Sequence, residues 1–286
     1  MPGMSLDELR QRLEALNRGP MPRLAGGKSA AGTGNLRRRR AVTDLARLVE
    51  GRELRTGPGK CYCIRRRLSQ CWKADAGTGP AFAAAVKQTA GRTEALDDDL
   101  ARCVAGGVGS LLFTDLETCG FAGTPVFLIG VMFWDGGDLC VEQLLARSYE
   151  EEGAILRRFG RRFGERCTTG GLVTFNGKSF DWPFLCDRAA VSRVELPEPR
   201  AHCDLLHLAR RRYRDRLPDC RLQTIELHVC HRRRVDDIAG AEIPGAYHDF
   251  VRTGDARRIR QIIHHNFLDL VTLAELLADL VRPEGR

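Results

Sequence analysis

The chain has 286 residues, 43% of them hydrophobic and 29% charged, which places it among ordinary globular proteins and excludes a disordered, collagenous or membrane-embedded polypeptide. Lys plus Arg outnumber Asp plus Glu by 45 to 37, for a formal charge of +8, which makes an anionic partner plausible and no more. Eleven cysteines, an odd and dispersed set without a CxxC pair, read as reduced thiols of a cytoplasmic protein, and the amino terminus lacks the unbroken apolar core of a secretory signal.

Ser5-Leu6-Asp7-Glu8 forms a capping box, and Leu6, Leu9, Leu13 and Leu16 repeat at helical spacing, so a short amphipathic helix is predicted before Gly19-Pro20. Residues 19–40 turn to Gly, Ala, Ser and Arg and read as a linker, giving a first unit of residues 1–40. Residues 41–108 form a small accessory region with a helix through Leu45 and Leu48, a strand over Lys60–Ile64 and no legible chemistry. Cys61 and Cys63 fall on one face of that strand and read as ordinary strand residues, zinc lacking a fourth ligand at finger-like spacing.

From residue 109 to 286 the pattern sharpens into one domain. Ser110–Glu117, Val126–Trp134 and Asp138–Leu145 read as consecutive strands, the last two joined by the hairpin signal Asp135-Gly136-Gly137-Asp138. The apolar run at Val126–Trp134 is far short of the roughly 18 residues of a spanning helix, so no membrane partner is expected. A helix through Ile155, Leu156, Phe159 and Phe163, a short strand at Leu172–Phe175, helices near 181–190, 204–214 and 222–229, and a long helix over 255–280 complete the series. Such a mixture describes an α/β sheet covered by helices.

Three places concentrate carboxylates. The two-residue period of a strand puts Asp115 and Glu117 on one face, where two acids repel unless a cation joins them. Asp181 follows the turn Asn176-Gly177-Lys178-Ser179-Phe180 and fits either a helix cap or a ligand. His265 and Asp269, four apart on the last helix, project together from an otherwise apolar stretch. Gly177-Lys178-Ser179 imitates the end of a phosphate-binding P-loop, but that pattern needs glycine where Leu172 stands. Asp204 could face the same site, although helix capping explains it equally well.

Taken in order, Asp-x-Glu, Asn-x3-Phe-Asp and His-x3-Asp resemble the DEDD exonucleases of the ribonuclease H-like superfamily, in the subgroup where histidine precedes the last aspartate. TDLETCGFAGTPVFLIGV, VTFNGKSFDWPFL and HHNFLDLVTLAELL further resemble the bacterial YprB-like family of predicted exonucleases, over about Lys60 to Leu280. The resemblance implies a mixed five-stranded sheet flanked by helices, here with an amino-terminal extension. It implies a 3′-to-5′ exonuclease acting on DNA or RNA through two Mg²⁺ or Mn²⁺ ions, with Asp115, Glu117, Asp181 and Asp269 as metal ligands and His265 as general base. Thr118 and Asn176 would lie near the terminal nucleotide, and Lys178 could touch a phosphate or stay solvated. A structure-selective endonuclease on the same fold and a non-catalytic nucleic-acid-binding adaptor are the alternatives.

Overall fold

The computed structural model describes residues 42–71, 77–89, 94, 96–167 and 170–283. The amphipathic helix and linker expected before residue 41 lie outside the described residues. Seven strands form a single sheet: β1 (Arg52–Thr56), β2 (Gly59–Arg67), β3 (Leu111–Thr118), β4 (Val126–Asp135), β5 (Asp138–Leu145), β6 (Gly171–Thr174) and β7 (Ala201–Asp204). Their order is β1-β2-β5-β4-β3-β6-β7, with β6 parallel to both β3 and β7 and every other pair antiparallel.

The resemblance implies five strands, and β3 to β7 supply them; the sheet nevertheless has seven. β2 pairs along the outer edge of β5, from Tyr62 opposite Leu145 to Arg67 opposite Cys140, and covers peptide groups that an edge strand would leave bare. The region read as accessory thus contributes two strands to the same sheet. Cys61 and Cys63 are buried there as core thiols, pushed up by burial to about 12 and about 11.

Among the described residues the helices are α1 (Leu45–Leu48), α2 (Leu68–Cys71), α3 (Thr78–Gln88), α4 (Asp98–Val104), α5 (Glu152–Cys167), α6 (Asp181–Val191), α7 (Leu205–Tyr213), α8 (Leu222–His228), α9 (Ile243–Thr253) and α10 (Arg257–Leu280). The sequence pattern does not reveal α9 because Pro244 and Gly245 read as breakers, yet proline in the first turn loses no helical hydrogen bond. β4 and β5 meet in a two-residue hairpin whose Gly136 and Gly137 both take positive φ, 58° and 94°, as a turn matching the strand twist requires. None of the described helices is long and apolar enough to cross a membrane.

Strand alternation sets the placement of the carboxylates. On β3, Leu112 and Leu116 join a buried cluster with Phe127, Ile129 and Leu144, whereas Leu111 and Phe113 join another with Met132, Val141 and Leu270. Asp115 and Glu117 continue the row of Leu111 and Phe113. The long helix α10 serves both clusters, with Ile259, Ile262 and Ile263 in the first and Phe267, Leu270 and Leu273 in the second. Its middle therefore comes against β3 where the apolar row gives way to acids.

Candidate active site

β6 pairs with β3 only from Leu111 to Phe113, so the backbone of β3 beyond that point has no strand on its β6 side. Asp181, the first residue of α6, fills that position and accepts a hydrogen bond from the Leu116 N–H, between the two acids of the strand. Its placement depends on the preceding turn. Asp204 accepts hydrogen bonds from Asn176 N at 2.8 Å and Lys178 N at 3.1 Å while capping α7 through Leu206 N at 3.1 Å. Asp204 is thus both the cap that the sequence allows and the clamp on the turn that delivers Asp181.

From the opposite side α10 presents His265 and Asp269, with His265 Nε2 3.4 Å from Asp269 Oδ2. One ligand atom each of Glu117, His265 and Asp269 lie within 4.8 Å of one another, and all three side chains are buried. Asp181 is buried beside them, and Asp115 is partly open to solvent.

Burial first, and neighbouring acids second, raise three of these carboxyls. Burial lifts the Glu117 carboxyl to about 8, against the pull of His265 and helped by Asp269 and Asp181. Burial likewise lifts Asp181 to about 7, with Asp204 and Asp269 adding to it. Asp115 is raised well above the usual carboxylate range by its enclosure and by Asp269, Glu117 and Asp181. Without a cation Glu117 therefore stays largely protonated and Asp181 about half protonated at neutral pH.

Asp115 is fixed through a relay that sequence reasoning did not find. Asn266 Nδ2 donates to Asp115 Oδ2 at 2.8 Å and to its carbonyl at 3.2 Å, and Asn266 Oδ1 accepts from Gln143 Nε2 at 2.8 Å. Gln143 also donates to the Ile263 carbonyl at 2.7 Å, tying β5 to α10. Gly130 lies between, opposite Asp115 on β4, and a Cβ there would overlap Asn266 Oδ1, so no larger residue allows α10 this close to the sheet. The available signal was a polar residue within each of two apolar runs, Asn266 and Gln143.

Arg234 and Asp237, on the loop before α9, are the other additions. The Asp237 carboxylate accepts from His265 Nδ1 at 2.8 Å. Arg234 reaches Glu226 and Asp269 at 2.5 Å each and Asp237 at 3.2 Å. Burial opposes the charge on His265, but the hydrogen bond to Asp237 and the charges of Asp269 and Glu117 prevail and raise its pKa. Nothing in the local sequence pattern marks a loop residue that meets a helix about thirty positions later.

The remaining candidates sit at the margin. Thr118 Oγ1 donates to the Gly120 carbonyl at 2.7 Å and shapes the turn leaving β3, beyond the irregularity at Glu117 and Thr118. Asn176 is exposed with φ 65°, a left-handed conformation that asparagine tolerates. Lys178 is turned to Asp99 of α4, with which it forms an ion pair.

A family model described as the RNase_H superfamily matches residues 112–281. The uncharacterized protein YprB of Bacillus subtilis (strain 168) is 34% identical over 172 residues, which make up 58% of this chain and 41% of that protein. The chain therefore spans less than half the length of that relative. Among solved structures, the family B DNA polymerase of the hyperthermophilic archaeon Pyrobaculum calidifontis overlays with a TM-score of 0.49 at 18% identity, over 59% of this chain and 24% of the polymerase.

Proposed function

The chain belongs to the RNase_H superfamily, and from that premise we propose that it is a metal-dependent nuclease, a 3′-to-5′ exonuclease of the DEDDh type acting on DNA or RNA. The observation that carries this reading is the convergence of Asp115, Glu117, Asp181 and Asp269 with His265 at the end of β3.

The donor set fits a hard divalent cation. Carboxylate oxygens suit Mg²⁺ or Mn²⁺ better than zinc, and a bound cation would displace the protons that burial retains on Glu117 and Asp181. In this reading Asp115, Glu117, Asp181 and Asp269 would hold the ions. When bound, two such ions supply Lewis-acid stabilisation of the charge that develops on the phosphate and on the leaving oxygen.

The protein's own groups do the rest. Asn266 and Gln143 orient Asp115, and Asp204 shapes the turn that delivers Asp181. Asp237 engages Nδ1 of His265, which fixes the ring and leaves Nε2 facing the acids, where it accepts a proton from the attacking water. In this reading Thr118 and Asn176 would contact the terminal nucleotide.

The assay is incubation with 5′-labelled single-stranded and duplex DNA and RNA in Mn²⁺, Mg²⁺ or EDTA. The expected result is a metal-dependent ladder shortening from the 3′ end. Discrete internal fragments would assign an endonuclease, and intact substrate in every condition would contradict the nuclease reading.

Asp237→Asn tests the base. Loss of this outer partner should lower kcat by about 10- to 100-fold with little change in KM. Because the Asp237 charge raises the His265 pKa, its removal should also move the acid limb of the pH–rate profile to lower pH. A reduced rate with an unmoved profile would leave Asp237 a purely structural part.

A further inference from the structure

Next to the acid cluster lies a surface of opposite charge. A cavity of about 860 Å³ opens between the end of α1, the first turns of α10 and the loop at 235–237, and Arg66, Arg257, Arg258 and Arg260 line it. Arg66 also lines an adjoining cavity of about 810 Å³, together with Arg52 and Arg65. The arginines thus run from the amino-terminal end of α10 across the outer strands of the sheet.

Three observations distinguish this groove from a generally basic surface. It is continuous with the candidate active site, because the Asp237 carboxylate that holds His265 Nδ1 forms part of its wall, as does His264. Its central cations are unspent. Arg65 is paired with Asp135, Arg257 with Asp255 and Arg258 with Glu242, but Arg52, Arg66 and Arg260 make no ion pair among the described residues. By contrast, several arginines of the other basic runs are consumed inside the fold, Arg158 and Arg162 by the buried Glu142 and Arg234 by Glu226. Finally, of the two aspartates on the wall, Asp237 is already held by His265 and Arg234, so the free charge of the groove is positive.

We propose that this groove carries the phosphodiester backbone of a single polynucleotide strand beyond the scissile bond, with Arg66 and Arg260 contacting its phosphates. The identity of the occupant rests on the nuclease reading. The physical case is charge complementarity at the mouth of a site made of acids: a polyanion approaching that cluster needs cations beside it, and unpaired guanidiniums offer planar, multidentate donors for phosphate oxygens. Arg52 and Arg66 come from β1 and β2, outside residues 112–281, so this wall is built by strands beyond the superfamily core.

The test is fluorescence anisotropy of a labelled 20-nucleotide single strand with the full chain in EDTA, as a function of salt. Arg66→Ala/Arg260→Ala should weaken binding by about tenfold and make the slope of log K against log salt shallower by about 1.4, at about 0.7 for each lost phosphate contact on a single strand. Arg210→Ala/Arg216→Ala, removing two exposed arginines on and beyond α7, should leave both quantities as in the wild type. Arg66→Gln/Arg260→Gln, which keeps most of the side-chain bulk, should match the alanine pair. An equal effect of both double variants, an unchanged salt slope, or weakened binding to phosphatidylserine vesicles without weakened binding to the strand would overturn the proposal. Binding is read without metal, so a protein that binds as predicted but hydrolyses nothing would refute the nuclease reading and leave the groove standing.

Discussion

Asp115→Asn is expected to abolish hydrolysis while leaving the fold intact or more stable. A Lewis-acid contribution of several kcal/mol corresponds to a loss of about a thousandfold or more in kcat. The substituted amide keeps an oxygen that can accept from Asn266 Nδ2, so the relay to Gln143 survives. What disappears is a carboxyl that burial, and then Asp269, Glu117 and Asp181, raise well above the usual carboxylate range, in a cluster where Glu117 and Asp181 are raised as well. With burial lifting Glu117 to about 8 and Asp181 to about 7, the folded chain retains protons that the unfolded chain releases near pH 4 to 5. Stability of the metal-free protein therefore falls as pH rises from about 4.5 through 8, since the folded state binds more protons in that window. At pH 8 the Asp115→Asn variant should melt above the metal-free wild type. A variant that loses activity and also melts lower would place Asp115 in the framework, not at the reacting phosphate.

Arg234→Met should produce the largest loss of stability. The arginine side chain is only 9% exposed and neutralises Glu226, itself 1% exposed, together with Asp269 and Asp237. Glu226 also accepts from Thr272 Oγ1 at 2.9 Å, a bond that leaves its charge uncompensated once the guanidinium is gone. Removing one member of such a buried network costs about 3–5 kcal/mol, because the carboxylates left behind remain buried. For a chain of this size that is a fall in Tm on the order of 10 °C. Pairing the change with Glu226→Leu should recover much of the loss, since a buried charge network can be replaced by apolar packing. Thermal denaturation of the two variants beside the wild type measures this. A Tm within a degree or two of wild type for Arg234→Met would show that the network does not hold the loop to α10.

The parts of this molecule that announce themselves in the sequence are those whose physics is local. β4 is a continuous apolar run, β3 and β5 are largely apolar, β4 and β5 meet in a two-glycine hairpin, and α10 carries its isoleucines and leucines at helical spacing. The acids on β3 and the His265–Asp269 pair are visible because strand and helix periods place them without knowledge of the tertiary fold. β7 escapes notice because Ala201–Asp204 is four residues long and runs directly into α7. β2 is legible at most as a strand, β1 is not, and the pairing of β2 to β5 is a contact across about eighty residues that no local pattern encodes. Separation in sequence, here about thirty residues, also hides Arg234 and Asp237, which lie in a loop without periodicity and act only where α10 meets them. Lys178 shows the converse: its neighbours in sequence point to the acids, but the ion pair with Asp99 turns it to α4.

The most direct test of the account is the rate at which a 5′-labelled single strand is shortened as Mn²⁺ is titrated into the metal-free full chain, wild type beside Asp115→Asn. The account predicts no turnover in EDTA, a rate that rises with Mn²⁺ and saturates in the wild type, and no comparable rise in the variant. Equal turnover in both proteins, or turnover that persists in EDTA, would contradict the claim that the carboxylates at the end of β3 hold the cation that drives hydrolysis.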